Sequence, residues 1–160
     1  MGTNSGLGRI LFVDDEVPLV EILAQVFREE GYEVEVAEER FEATRKARRF
    51  RPDLVLTNQN MPGGKGIDFA EDLLREGIET RLVMFSGMAL GGKGPSPKAC
   101  LERGFCDYLV KPTDLERIKE VVDRRLRDPD ATNLRIARFA EITRTFLEHA
   151  DAAGQRDGRS

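Results

Sequence analysis

The sequence predicts a doubly wound α/β fold, a five-stranded parallel sheet with helices on both faces. Three observations carry that expectation. Five short apolar runs alternate with five stretches of helical periodicity along the chain. Several of those runs are continuously apolar, as strands buried on both faces of a parallel sheet must be. Repeated strand–helix units joined by short connections require right-handed crossovers, and strand order 2-1-3-4-5 is the common arrangement for five of them.

Arg9-Ile10-Leu11-Phe12-Val13 is the first strand, running at once into Asp14-Asp15-Glu16. Pro18 suits the first turn of a helix that carries Val20, Leu23, Ala24 and Phe27 at helical spacing and stops at Gly31. Val34 to Ala37 is the second strand. Phe41, Ala43, Ala47 and Phe50 mark the second helix, which ends near Pro52. Leu54 to Thr57 is the third strand, Ile67 to Arg75 the third helix with Gly77 as its stop, and Arg81 to Ser86 the fourth strand. Gly87 to Lys98 is rich in Gly, Pro and Lys and predicts a mobile loop. Ala99 to Arg103 forms a short helix closed by Gly104, and Asp107 to Val110 is the fifth strand. Thr113-Asp114-Leu115-Glu116 has the capping-box pattern with Thr113 as the cap, so the fifth helix runs from there to about Arg127.

Asp128-Pro129-Asp130 then opens a sixth helix with an acidic cap and a first-turn proline. Ile136, Phe139, Ala140, Thr143, Phe146, Leu147 and Ala150 give it an apolar stripe. That stripe either folds back on the domain, pairs with a second copy in a homodimer, or leads to a partner. The expected organisation is a flexible N-terminus over 1–8, one domain over 9–127, the extra C-terminal helix over 128–153, and a disordered tail over 154–160.

Composition narrows the function. The chain has 160 residues and a net charge of −4 with both signs interspersed, which gives no basic field for nucleic acid. No apolar run reaches the ~18 residues needed to span a bilayer, and Met1 to Gly8 lacks the apolar core of a signal peptide. Cys100 and Cys106 fit neither a redox pair nor a zinc site, so two reduced thiols in a cytoplasmic protein are expected. His149, the sole histidine, falls on a polar helix face.

Ligands of this fold class gather at the carboxyl ends of the strands. Those ends carry Asp14-Asp15, Asn58, Ser86 and Lys111. Carboxylates suit a hard cation such as Mg²⁺, and a hydroxyl with an ammonium suits the oxygens of a phosphoryl group. Asp14-Asp15-Glu16 alone reads equally well as an acidic helix start favoured by the helix dipole. Complementary groups at four strand ends favour the functional reading.

Together these residues resemble the receiver domain of two-component response regulators. The resemblance rests on Asp14-Asp15, the Asn58-Gln59-Asn60-Met61-Pro62-Gly63 segment, Ser86, Lys111-Pro112, and Tyr108 three residues before the lysine. It covers roughly Arg9 to Arg127 and implies a (βα)5, flavodoxin-like fold. It implies that Asp15 coordinates Mg²⁺ with help from Asp14 and the backbone carbonyl of Asn60, and it places position 58, here Asn58, in the same metal set. Ser86 and Lys111 would bind phosphoryl oxygens, Ser86 and Tyr108 would move with the switch, and Lys111-Pro112 would be a cis peptide. A histidine kinase or phosphotransfer protein would donate the phosphoryl group, and a downstream signalling protein would read the result.

The departure from the pattern is Asn58, which stands where the family carries its phosphoaccepting aspartate. A carboxamide oxygen is uncharged and delocalised, a poor nucleophile, so the chain is expected to be no phosphotransfer enzyme and to bind Mg²⁺ weakly. Lys65 is a smaller departure, at a position that is often acidic in the family. Asn58 is either an engineered or recently lost acceptor in a stand-alone receiver, or the mark of a pseudo-receiver acting constitutively through its C-terminal helix. The retention of Asp14, Asp15, Ser86 and Lys111 favours the former. Transfer to the neighbouring Thr57 is disfavoured because strand alternation points it away from Asn58. A haloacid-dehalogenase-like phosphatase needs two aspartates separated by one residue, and the adjacent Asp14-Asp15 pair lacks that spacing.

Overall fold

The computed structural model describes residues 6–87 and 94–157. Strands β1 (Arg9–Val13), β2 (Glu33–Ala37) and β3 (Leu54–Thr57) alternate with helices α1 (Val17–Glu29) and α2 (Arg40–Phe50). A two-stranded hairpin, β4 (Asn60–Met61) with β5 (Gly64–Lys65), precedes α3 (Gly66–Arg75). Then come β6 (Arg81–Ser86), α4 (Pro97–Glu102), β7 (Phe105–Val110), α5 (Leu115–Leu126) and α6 (Asn133–Asp157). The main sheet is parallel with order β2-β1-β3-β6-β7, which is the expected 2-1-3-4-5 for its five strands.

Alternation along the strands divides the core in two. Ile10, Phe12, Leu54, Leu56, Val83 and Phe85 pack one face against α1 and α5. Leu11, Val13, Val55, Leu82 and Met84 turn to the other face, under Ala43 and Ala47 of α2 and Phe69 and Leu73 of α3. Cys100 belongs to this second layer and Cys106 packs on the first. Burial pushes their thiols up to about 11 and about 12, so both are free, protonated thiols at neutral pH.

Several boundaries differ from expectation, each for a local reason. The cap of α5 is Asp114 rather than Thr113: its Oδ1 accepts from the Arg117 amide at 2.8 Å, and the helix begins one residue later than the Thr113 pattern required. Asp128-Pro129-Asp130 does not open α6. Asp128 accepts the Asp130 amide at 2.9 Å and closes a turn instead. The sixth helix begins at Asn133, whose buried side chain is fixed from a distance in sequence. Its Oδ1 accepts the Thr80 amide at 3.1 Å and its Nδ2 donates to the Ile78 carbonyl at 3.0 Å. At its other end α6 runs past Gly154 to Asp157, beyond the expected limit at 153, because one exposed glycine costs a helix only about 1 kcal/mol. Ser96 caps α4 through the Ala99 amide, so the end of the predicted mobile loop is helical. Residues 88–93 of that loop, residues 1–5 and residues 158–160 lie outside the described residues. Gly8 already joins the sheet, its carbonyl accepting the Glu33 amide at 3.1 Å.

The start of α6 rests on α4 and β7. Gly104, at φ +88, is required there: a Cβ would stand 2.6 Å from the Asn133 carbonyl oxygen.

Candidate functional site

The carboxyl rim of the sheet is assembled by backbone bonds that extend the strand ladders. The Asp14 amide donates to Ala37, the Asn58 amide to Val13 at 2.8 Å, and the Lys111 amide to Ser86 at 2.9 Å. These bonds bring the ends of β1, β3, β6 and β7 into one edge, with Lys111-Pro112 cis as the resemblance implied.

Asp14 is 3% exposed, and Lys111 Nζ lies 2.6 Å from its Oδ2. Its Oδ1 accepts the Glu16 amide at 3.0 Å. Burial raises the Asp14 carboxyl above its ordinary value, against the opposing pull of Lys111 and of that amide. Lys111 also reaches Glu16 at 3.4 Å and sits 5.0 Å from the centre of the Phe85 ring, so its stem is supported by the core while its charge faces the rim. Ser86 is 1% exposed, and its Oγ has no hydrogen-bond partner among the described residues. Leaving a buried hydroxyl unpaired costs about 1–3 kcal/mol. Its position at the end of β6 is suited to an incoming oxygen acceptor.

Asn58 is half-buried at the end of β3, and its amide supplies the detail the sequence did not show. Nδ2 donates to the Asn60 carbonyl at 2.7 Å and approaches Asp15 Oδ1 at 3.4 Å. Those two oxygens are groups the resemblance assigns to the cation. A neutral N–H donor therefore sits against the atoms a Mg²⁺ ion would draw together. Two carboxylates and a carbonyl on one rim have the chemistry of a hard-cation site. Here that set is engaged from both sides, Asp14 by Lys111 and the others by the Asn58 amide. Among the described residues, no three His, Cys, Asp or Glu side chains gather to hold a metal.

Two supporting residues escaped the sequence reading. Gln59 is buried, its Oε1 accepting the Ile67 amide at 3.2 Å and its carbonyl accepting the Gly66 amide at 2.8 Å. Gly66 must be glycine, since a Cβ there would stand 2.3 Å from the Asn58 carbonyl oxygen. The signal was present as Gly63-Gly64-Lys65-Gly66, but only the fold shows which glycine is crowded. Lys65 has no ion-pair partner among the described residues; its backbone amide donates to Asp68 Oδ2 at 2.8 Å and helps start α3. Thr57 is fully buried and its Oγ1 bonds the Asn58 carbonyl, which keeps it off the rim. Tyr108 lies apart from these groups, half-buried against the second core layer and lining an open groove of about 370 Å³ beside α4.

The model of the response regulator receiver domain matches residues 10–123. The phosphate regulon transcriptional regulatory protein PhoB of Escherichia coli is 34% identical over 120 residues, covering 72% of this chain and 52% of that protein. The DNA-binding response regulator MtrA of Mycobacterium tuberculosis is 33% identical over 140 residues, covering 84% and 57%. The chain thus spans about half the length of the curated relatives it matches. Among solved structures, the response regulator TrrA of Thermotoga maritima, in complex with Mg²⁺ and beryllium fluoride, superposes with a TM-score of 0.61 at 30% identity. That match covers 72% of this chain and 96% of TrrA.

Proposed function

The chain belongs to the response regulator receiver family of two-component signalling, and on that premise we propose that it is a receiver whose phosphorylation is blocked by Asn58 at the acceptor position. The observation that carries this reading is the Asn58 amide, 2.7 Å from the Asn60 carbonyl and 3.4 Å from Asp15. It holds the rim closed without an ion and offers no anionic oxygen to phosphorus. The surrounding groups support a phosphoryl site: Lys111 poised on Asp14, and Ser86 with an unpaired hydroxyl.

Asp14, Asp15 and the Asn60 carbonyl would hold Mg²⁺, weakly, because the Asn58 amide competes for two of those oxygens. The ion, when bound, offsets negative charge on phosphoryl oxygens. Lys111 would exchange Asp14 for one such oxygen, and Ser86 would donate to another. A histidine kinase or phosphotransfer protein would approach this rim, and a downstream signalling protein would read the face near Tyr108 and α4. DNA binding belongs to MtrA by its name; the charge of −4 here favours protein partners over nucleic acid. No described helix is long and apolar enough to cross a membrane, and a cytoplasmic setting fits this role.

The second reading, a phosphorylation-independent pseudo-receiver that binds constitutively through α6, draws on the apolar side chains exposed along that helix. It does not account for the retained Lys111 and Ser86. The experiment is a calorimetric titration with Mg²⁺ and beryllofluoride, an acyl-phosphate mimic that needs a carboxylate oxygen. The reading expects no binding to the parent chain and binding to Asn58→Asp. Saturable beryllofluoride binding by the parent chain contradicts it.

A further inference from the structure

The hairpin that carries the Asn60 carbonyl is too small to hold itself in place. β4 and β5 share only two residue pairs, Asn60 with Lys65 and Met61 with Gly64. A ladder of that length has no independent stability in water, and Asn60 itself is exposed. Something outside the hairpin must fix where its carbonyl points.

Arg40, at the start of α2, lies where such a brace is needed. Its backbone amide donates to the Pro62 carbonyl, in the turn of the hairpin, at 3.3 Å. Its side chain then passes over the backbone of Gly64, so closely that a Cβ there would stand 2.7 Å from Arg40 Cδ and 2.9 Å from Nη1. Beyond Gly64 the guanidinium reaches α3. Nε donates to Asp72 Oδ2 at 2.8 Å and Nη2 to Oδ1 at 2.9 Å, a two-pronged bond that fixes direction as well as distance. Phe41 supports the arm, its ring centre 5.2 Å from the guanidinium carbon. The same ring lies against Gly63, where a Cβ would stand 3.3 Å from it. Gly63 and Gly64 are therefore bare backbone on which α2 side chains rest. Arg48 also ties α2 to α3, through Glu76, but it sits two turns further along and has no bond to the hairpin among the described residues.

We propose that Arg40 is a positioning residue for the rim: clamped between Gly64 and Asp72, it holds the hairpin so that the Asn60 carbonyl faces position 58. In the parent chain the carbonyl so placed receives the Asn58 amide at 2.7 Å. With aspartate at position 58 it would be presented to Mg²⁺, a consequence that rests on the reading of the rim as a phosphoryl and cation site. Residues that orient metal ligands typically change affinity by about 10–100-fold when removed.

The test has two arms. In the parent chain without divalent cation, amide hydrogen exchange and the Asn58 side-chain amide resonances are compared with those of Arg40→Ala, Asp72→Ala and Arg48→Ala. The first two variants should exchange the amides of residues 60–65 about tenfold faster and move the Asn58 Nδ2 protons toward the position of a solvated asparagine. Arg48→Ala should leave both at parent values. Arg75, 3.5 Å from Asp72, remains to neutralise that carboxylate in Arg40→Ala, so the loosening stays local. In the second arm, calorimetric Mg²⁺ affinity in the Asn58→Asp background should fall about tenfold when Arg40→Ala is added. Parent-like exchange with unmoved Asn58 resonances in Arg40→Ala overturns the proposal. So does an equal change in Arg48→Ala, which would mean only that α2 and α3 had come apart, or an undiminished Mg²⁺ affinity in the double variant. Failure of Asn58→Asp itself to bind Mg²⁺ would overturn the reading of the rim instead, and the first arm would still decide the role of Arg40.

Discussion

Replacing Asn58 by Asp makes the rim depend on an ion. In the parent chain the amide Nδ2 donates to the Asn60 carbonyl at 2.7 Å and lies 3.4 Å from Asp15 Oδ1. Asn58→Asp removes one good hydrogen bond, worth about 1 kcal/mol net. It also turns a weak attraction to Asp15 into repulsion between two carboxylates roughly 4 Å apart, about 1–2 kcal/mol at the high effective dielectric of an exposed rim. Without divalent cation the variant should thus be about 2–3 kcal/mol less stable than the parent chain. Mg²⁺ at a hundredfold its dissociation constant should return about 2.7 kcal/mol to the variant. The assay is urea unfolding in EDTA and in excess Mg²⁺. With an m-value of about 2 kcal/mol per molar, the variant's midpoint should move by roughly 1 M between the two conditions. The parent midpoint should barely change. Equal Mg²⁺ stabilisation of both chains, or a variant as stable as the parent in EDTA, would refute the idea that the Asn58 amide stands in for the cation.

Three further outcomes follow from the same geometry. Asn133→Ala removes both side-chain bonds that anchor α6, keeps the Asn133 amide bond to the Thr80 carbonyl at 2.7 Å, and leaves the Thr80 amide and Ile78 carbonyl buried and unpaired, so urea unfolding should show a loss of about 2–5 kcal/mol; a loss below about 0.5 kcal/mol would show that the clamp is not needed. Gly66→Ala pushes a methyl group into the Asn58 carbonyl and should cost about 1–3 kcal/mol, and in the Asn58→Asp background it should also abolish the Mg²⁺-dependent midpoint shift. At Asp107, burial works upward on the carboxyl, but the Tyr108 amide and the guanidinium groups of Arg125 and Arg124 outweigh it and set its pKa below the ordinary 3.8. That contribution to stability is full above 3.8 and is lost as pH falls through the folded value, so Asp107→Asn should flatten the acid limb of a stability–pH profile measured below pH 4. An unchanged acid limb would remove Asp107 from the account.

The sheet was legible because its strands are buried on both faces and leave continuous apolar runs, Ile10 to Val13 and Leu82 to Phe85 among them. The hairpin at Asn60–Met61 and Gly64–Lys65 was not, since it is short, largely exposed and carries no alternation. Helix ends were misplaced where two neighbouring residues could each cap, as with Thr113 and Asp114. The start of α6 was lost for a different reason. Its determinants, Ile78 and Thr80, lie more than fifty positions away along the chain, and Asp128-Pro129-Asp130 offered a plausible local substitute. At the rim, the residue types at each strand end could be read directly, and in the fold Asp14 lies against Lys111 and Asn58 against Asp15 and Asn60. What could not be read was orientation: that Lys111 rests on Asp14, that the Ser86 hydroxyl is unpaired, and that the Asn58 amide faces the Asn60 carbonyl.

The central claim is that Asn58 blocks a pocket that is otherwise built for phosphoryl transfer. Intact mass after incubation with acetyl phosphate and Mg²⁺, for the parent chain and Asn58→Asp side by side, tests it most directly. The account predicts a single phosphoryl adduct on Asn58→Asp and none on the parent chain. An adduct on the parent chain, or none on either, would contradict it.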